Sequence, residues 1–250
     1  GSAFALDNEA ELKSLLTAYQ DGAELTRAEF GALHQANLIG GSSGNVIDHI
    51  GGPDAFGYTF MDSDEPDGPT FNWIDISVSG TEVSESGGIT DDDFIGPYPI
   101  GFSFPFYGTS RTQFYLHSNG VISFDQWALP ASSANSALPG NLNALDGAGI
   151  CVFWEDLDPW HDINNGYDGG QIYYTTMMVG GQNALVVSYV DIMHYPGGLN
   201  QDEIISFQTI LFEDGTVRCQ YNDISNTFQL NAGAETMGLV NDDLTIYLES

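Results

Sequence analysis

The sequence predicts a mainly β fold, an antiparallel β-sandwich with a short N-terminal helical hairpin. From about Phe56 onward, apolar residues recur with period two, and Gly-, Asp- and Asn-containing turn signals separate them at short spacing. The first forty residues show helical spacing instead. The 30 glycines in 250 residues also fit many tight turns. We therefore expect the helical hairpin and its Gly/Ser joint over residues 1–45, and the sandwich over residues 46–250.

Two short helices are predicted in the N-terminal segment. Asn8 and Glu11 have the spacing of a capping box, and apolar residues follow at helical spacing. Thr26 and Glu29 repeat the box in a second segment, which the Gly/Ser joint at residues 40–44 ends.

Four hairpin turns are predicted in the remainder of the chain. Each consists of glycine, asparagine or aspartate between two apolar-rich runs, which is the residue choice that tight hairpins favour. The turns are Asn119-Gly120, Gly180-Gly181, Asp214-Gly215 and Asn241-Asp242-Asp243. Consecutive hairpins of this kind indicate antiparallel sheets.

The charge balance excludes whole classes of partner. The chain has 35 acidic residues and four Lys or Arg, which gives a formal net charge of −31. Nucleic acids and anionic membranes would repel such a chain, so we expect neither as a partner. No apolar run approaches the roughly 20 residues that span a bilayer, so we expect no membrane insertion.

Acidic clustering predicts a bound cation. Three short windows, 62–67, 91–93 and 155–168, hold 12 of the 35 acidic residues. Ca²⁺ accepts six to eight oxygen ligands from irregular Asp and Asn loops, so it would relieve their repulsion. The predicted ligands are Asp156, Asp158, Asp162, Asn164 and Asp168 in one window, and Asp62, Asp64 and Asp67 in another. We expect Asp91–Asp93 to be an exposed turn, and a solvated acidic surface remains the alternative for every window.

No catalytic motif accompanies these acids. The five histidines lack metal-ligand spacing, and no phosphate-binding or dinucleotide-binding glycine pattern is present. We therefore expect no enzyme, although paired carboxylates leave a glycoside-active enzyme as one alternative. A carbohydrate-binding module is another, because Trp160 and Tyr167 lie in a loop-like region where exposed rings could stack on sugars.

Two cysteines, Cys151 and Cys219, are too few for a disulfide scaffold. They could form one disulfide if the protein is exported, or remain two buried free thiols. The residues alone leave both readings open.

Several segments, taken in order, resemble a known extracellular module. They are Ile100–Gly108, Phe114–Phe124, Val152–Asp158, Gly170–Tyr174, Phe207–Val217 and Met237–Val240. This series is similar to nidogen-type (NIDO-like) modules and their bacterial relatives in secreted and surface proteins, over roughly residues 56–248. The resemblance implies an extracellular or cell-surface, non-catalytic interaction domain and favours an oxidised Cys151–Cys219 pair. We therefore expect a calcium-stabilised adhesion module whose partner is a protein or glycan at the cell surface or matrix; a purely structural spacer is a further alternative.

Overall fold

The computed structural model describes residues 9–20, 50–63, 65, 68–84, 88–126, 138, 147–159, 161–162, 167–195, 204–224, 236–245 and 247–249. The chain divides into two compact units, Gly1–Ile47 and Asp48–Ser250. All strands of the described residues belong to the second unit.

The first unit contains helix α1, Glu9–Gln20. Leu12 and Leu16, one turn apart, are half-buried, whereas Lys13 and Thr17 are exposed. This is the one-sided pattern that the spacing predicts, so the first helix is confirmed. The second predicted helix lies outside the described residues. No helix in the described ranges is long and apolar enough to cross a membrane.

The described part of the second unit contains sixteen strands. In chain order they are β1 (Ile50–Gly51), β2 (Phe60–Met61), β3 (Thr81–Glu82), β4 (Phe94–Phe106), β5 (Thr109–His117), β6 (Val121–Ser123), β7 (Gly149–Trp154), β8 (Leu157–Asp158), β9 (His161–Asp162), β10 (Tyr167–Asp168), β11 (Gln171–Val179), β12 (Gln182–His194), β13 (Ile204–Phe212), β14 (Val217–Ile224), β15 (Thr236–Val240) and β16 (Tyr247–Glu249).

These strands form two six-stranded antiparallel sheets, as the sequence predicts. One sheet has the order β14-β13-β12-β11-β3, with β8 also paired to β12. The other has the order β16-β15-β7-β6-β5-β4. Strands β1 and β2 form a separate pair, as do β9 and β10. The four predicted turns lie between β5 and β6, β11 and β12, β13 and β14, and β15 and β16, which confirms the hairpins.

The main core lies between the two sheets. Phe114 and Leu116 of β5, Leu185 and Val187 of β12, and Phe207 of β13 are all buried in one cluster. Within β5 and β12 the paired positions are two residues apart, so they share a face of the strand. Full burial of one such side chain stabilises the fold by about 1.5–3 kcal/mol. The alternation in the sequence therefore marks the faces that hold the sheets together.

The two cysteines lie in strands of different sheets and are not joined by a disulfide. In β7, Ile150 and Val152 face the main core, whereas Cys151 between them belongs to a second cluster with Trp154 on the opposite face. Cys219 packs against the main core, and burial raises the pKa of its thiol to about 11. The disulfide that the resemblance favours is therefore not found, because Cys151 faces away from the core that Cys219 contacts.

Candidate metal centre

Three aspartates from two distant segments converge at one end of the sandwich. One carboxylate oxygen each of Asp91, Asp92 and Asp156 lies within 4.8 Å of the other two. Asp91 and Asp92 lie just before β4, separated from it by Asp93, and Asp156 follows β7. Because β4, β5, β6 and β7 are antiparallel neighbours, the start of β4 and the end of β7 lie at the same end of the sheet.

The turn between β5 and β6 joins the two acidic segments. Ser118 donates its backbone N–H to the Asp93 carbonyl (2.9 Å), and its hydroxyl accepts the Asp93 N–H (3.0 Å). Asn119, fully buried, donates its side-chain N–H to Asp92 Oδ1 (2.8 Å). Its Oδ1 accepts the backbone N–H of Leu157 (2.8 Å). One asparagine side chain therefore fixes both segments, which positions their carboxylates before any ion binds.

Burial and mutual repulsion disfavour the ionised form of two of these carboxyls. Desolvation, and then the charges of Asp158, Asp92 and Asp156, raise the pKa of Asp91 to about 6. Desolvation is also the main reason why the pKa of Asp156 is raised to about 6. The charge of Asp92 raises this pKa further, whereas His194 lowers it. Oδ1 of Asp91 and Oδ1 of Asp156 are both buried, with no hydrogen-bond partner among the described residues. Carboxylate oxygens in this situation are suited to a cation.

Both arginines of the described residues are engaged elsewhere. Arg111 pairs with Asp125 and Asp242, and the guanidinium of Arg218 lies 5.3 Å from the ring centroid of Phe212. The imidazole of His194 is close to the acids, and its Nε2 lies 3.1 Å from Glu155 Oε1. In the described part of the second unit, little positive charge therefore lies among these aspartates.

The structure brings together a subset of the predicted ligands. Asp156 belongs to the triad, and buried Asp158 acts on it electrostatically. The backbones of Asp162 and Asp168 lie in the β9–β10 pair, where their partners are Tyr167 and His161. Among described residues, Asp62 follows β2 and is not part of the triad. The remaining predicted residues lie outside the described part of the chain: the ligands Asn164, Asp64 and Asp67, and the ring of Trp160. The side chains of Asp162, Tyr167 and Asp168 also lie outside it.

Two members of the triad, Asp91 and Asp92, were not among the ligands that the sequence predicts. Residues 91 and 92 do form a turn, and Asp92 is exposed, as expected. The turn nevertheless faces Asp156, because Asn119 ties it to the end of β7. The run of three aspartates was the available signal, but local sequence does not specify this long-range contact.

Beside this turn, His117 is buried as a neutral imidazole. Its Nε2 lies 2.8 Å from Ser123 Oγ, and burial lowers its pKa to about 3. Since the unfolded chain binds this proton near pH 6.5, acidification favours unfolding, and the stability present above pH 6.5 is lost as the pH falls toward 3. At about 1.4 kcal/mol per pH unit, His117 should remove roughly 2–3 kcal/mol of stability between pH 6.5 and pH 4.5. Urea unfolding of the wild type and of His117→Gln between about pH 6.5 and pH 4.5 measures this loss. If the free energy of unfolding falls equally steeply with pH in both proteins, the prediction is contradicted.

Comparison with known protein families gives a match over most of the chain. A family model described as "NIDO related" matches residues 57–249. No curated protein and no solved structure matches the chain. The matched range includes the three aspartates and the turn that joins them, and it confirms the nidogen-like resemblance of the strand segments.

Proposed function

We propose, from the premise that this chain belongs to the NIDO-related family, that it is a calcium-stabilised, non-catalytic interaction module of a larger secreted or cell-surface protein. Membership of the family indicates an extracellular module. The cation, the adhesion role and the lack of catalysis are the proposal. The observation that carries it is the triad of Asp91, Asp92 and Asp156, in which two buried oxygens have no hydrogen-bond partner in the described part of the chain.

Ca²⁺ is the cation that suits this triad best. Its oxygen ligands lie at about 2.3–2.6 Å, so two ligands on one ion can be up to about 5 Å apart. The triad oxygens fall within that spread. Asp92 is exposed, which leaves room for water to complete six to eight ligands. Mg²⁺ requires a tighter octahedron and should bind more weakly.

The chemistry of the buried titratable groups supports a non-catalytic role. His117 is neutral and enclosed, and the raised pKa of Cys219 keeps its thiol protonated at neutral pH. A general base or nucleophile needs access to a substrate and a pKa near the working pH. Neither group meets both conditions.

Thermal unfolding with Ca²⁺ and with excess chelator tests the metal. At a free Ca²⁺ concentration of one hundred times the Kd, binding should add about 2.7 kcal/mol to the free energy of unfolding. For a unit of this size, that corresponds to a rise in Tm of about 5–10 °C. Asp156→Asn should abolish the rise. In chelator it should melt at or above the wild-type temperature, because one repelled carboxylate is gone.

Glu213→Gln is the matched control, since it removes an exposed carboxylate outside the triad. Its Ca²⁺ response should equal that of the wild type. Identical wild-type curves with and without Ca²⁺ would refute the metal site, as would a full response in Asp156→Asn.

A further inference from the structure

An aromatic cleft of about 310 Å³ lies beside the turn between β4 and β5. Its lining includes Phe56, Tyr58, Pro105, Tyr107 and Asp214. These residues come from three places: the segment before β2, the β4–β5 hairpin and the β13–β14 turn. Phe56 is 51% exposed, and its ring contacts those of Tyr58 and Tyr107.

One carboxylate, that of Asp54, fixes the backbone that carries Phe56 and Tyr58 and also binds the hydroxyl of Tyr107. Oδ1 of Asp54 accepts the backbone N–H groups of Phe56 (3.0 Å), Gly57 (2.7 Å) and Tyr58 (2.9 Å). Its Oδ2 accepts the hydroxyl of Tyr107 (2.8 Å). A ligand entering the cleft therefore meets aromatic rings that are already ordered, which lowers the entropic cost of binding.

The rings do not form one flat platform. The planes of Phe56 and Tyr58 differ by 26°, but that of Tyr107 is turned by 61° and 62° from them. A sugar ring stacks best on a single flat face, whereas a compact cation can approach several inclined rings at once. The arrangement favours a cation.

Tyr107 occupies a backbone position that suits other residues better. It and Gly108 form the two-residue turn between β4 and β5, with φ of 45° and 77°. Asparagine and glycine are preferred at the first position of such a turn, and a bulky side chain there costs about 1–2 kcal/mol. The contacts of its ring with Phe56 and Tyr58, and the hydrogen bond of its hydroxyl to Asp54, offset this cost and fix the ring in the cleft.

The charge at the cleft is negative. Asp214 is exposed on its rim, and hydrogen bonds from Thr216 lower its pKa, so it is ionised at neutral pH. Among the described residues that line the cleft there is no lysine or arginine. With the net charge of −31, this attracts a cationic partner.

We propose that this cleft binds the side chain of a lysine or arginine on a partner protein. The cation lies against Phe56, Tyr58 and Tyr107, and Asp214 pairs with its charge. The inference rests on the proposed interaction role and names the chemistry of the partner, at a site separate in its residues from the metal triad.

Titration with short peptides, followed by the NMR shifts of the Gly57 and Gly108 amides, tests the proposal. The probes are acetylated and amidated Gly-Ser-X-Ser-Gly peptides with X as lysine, arginine, norleucine or glutamate. Lysine and arginine should bind at least about tenfold more tightly than norleucine, with glutamate weakest. Phe56→Ala and Asp214→Asn should each weaken lysine-peptide binding by about threefold to tenfold.

Phe71→Ala is the matched control, because Phe71 is also 51% exposed but does not line the cleft. Its lysine-peptide affinity should equal that of the wild type. Equal binding of the norleucine peptide, no binding of any peptide, or no effect of Phe56→Ala would overturn the proposal. So would tighter binding of a neutral glucose hexasaccharide that depends on Phe56.

The outcome is independent of the metal test. Phe56→Ala should keep the full Ca²⁺ response in thermal unfolding, and Asp156→Asn should keep its affinity for the lysine peptide. If the wild type binds no peptide but shows the Ca²⁺ response, only the cleft proposal is refuted. If it binds the lysine peptide but shows no Ca²⁺ response, only the metal proposal is refuted.

Discussion

Replacing Gly120 with alanine should destabilise the sandwich by about 4 kcal/mol, because a steric clash adds to the cost of a left-handed backbone. Gly120 has φ of +73°, and a Cβ there would lie 2.1 Å from the carbonyl oxygen of Phe153. The Gly120 carbonyl itself accepts N–H groups from Val152 and Phe153. Backbone therefore faces backbone, and neither side can move without breaking the link between β7 and the turn that carries Asn119.

Gly180→Ala is the matched control for this substitution. Gly180 also has a positive φ, +60°, but its Cβ would meet no atom of the described residues within 4 Å. The Gly180→Ala variant should lose only about 1–2 kcal/mol of stability, which is the cost of placing alanine in a left-handed backbone conformation. Urea unfolding of both variants in the presence of Ca²⁺ gives the comparison. Equal losses would show that the contact with Phe153 carries no energetic weight.

These two glycines also show what local sequence can predict. Asn119-Gly120 and Gly180-Gly181 give the same kind of hairpin signal, and both hairpins are present. Their surroundings differ, since residues 119 and 120 are buried and residues 180 and 181 lie at the surface. Turn formation depends on the residues of the turn, and so the sequence predicts it. Burial depends on β7, which follows much later in the chain.

The residues of the candidate site also divide into those that local sequence predicts and those that depend on distant contacts. Asp156 could be predicted because acids and asparagines are dense in its own window. Asp91 and Asp92 could not, because their contact with Asp156 is made through Asn119, which belongs to neither window. A metal site assembled from separate segments needs the strand order, and that order includes non-sequential neighbours such as β7 and β15.

Strand β4 was also beyond local prediction. Its 13 residues include Pro97, Pro99 and Pro105, which cannot donate ladder hydrogen bonds. They are compatible with a strand because β4 lies at the edge of its sheet. An alternating pattern interrupted by prolines indicates a strand only once its edge position is known.

Replacing Gln208 with leucine should remove about 4 kcal/mol of stability, since several buried polar groups lose their partner at about 1–3 kcal/mol each. Gln208 is fully buried in β13. Its Oε1 accepts the N–H of Ile74 (3.2 Å) and the Nε2 of Gln220 (3.2 Å). Its Nε2 donates to the carbonyl of Ile74 (2.8 Å) and to Ser188 Oγ (2.7 Å).

The amide of Gln208 bonds both backbone groups of Ile74, as a neighbouring strand would. Gln220 pairs in the same manner with the N–H and carbonyl of Asn72, so two amides hold residues 72–74 over the outer face of the sheet. Beneath them lies a third apolar cluster, which includes Val186 and Ile210. Without Gln208, the segment should open locally before the sheet unfolds.

Hydrogen exchange and urea unfolding separate this mechanism from a general loss of packing. In Gln208→Leu the amides of Asn72 and Ile74 should exchange at least tenfold faster, whereas Gln113→Leu, at an exposed position of β5, should change stability by less than about 0.5 kcal/mol. Unchanged protection of Ile74, or equal losses in the two variants, would contradict the role of the glutamine pair. Leucine fills a similar volume and is apolar, so a large loss in Gln208→Leu must come from the unpaired polar groups.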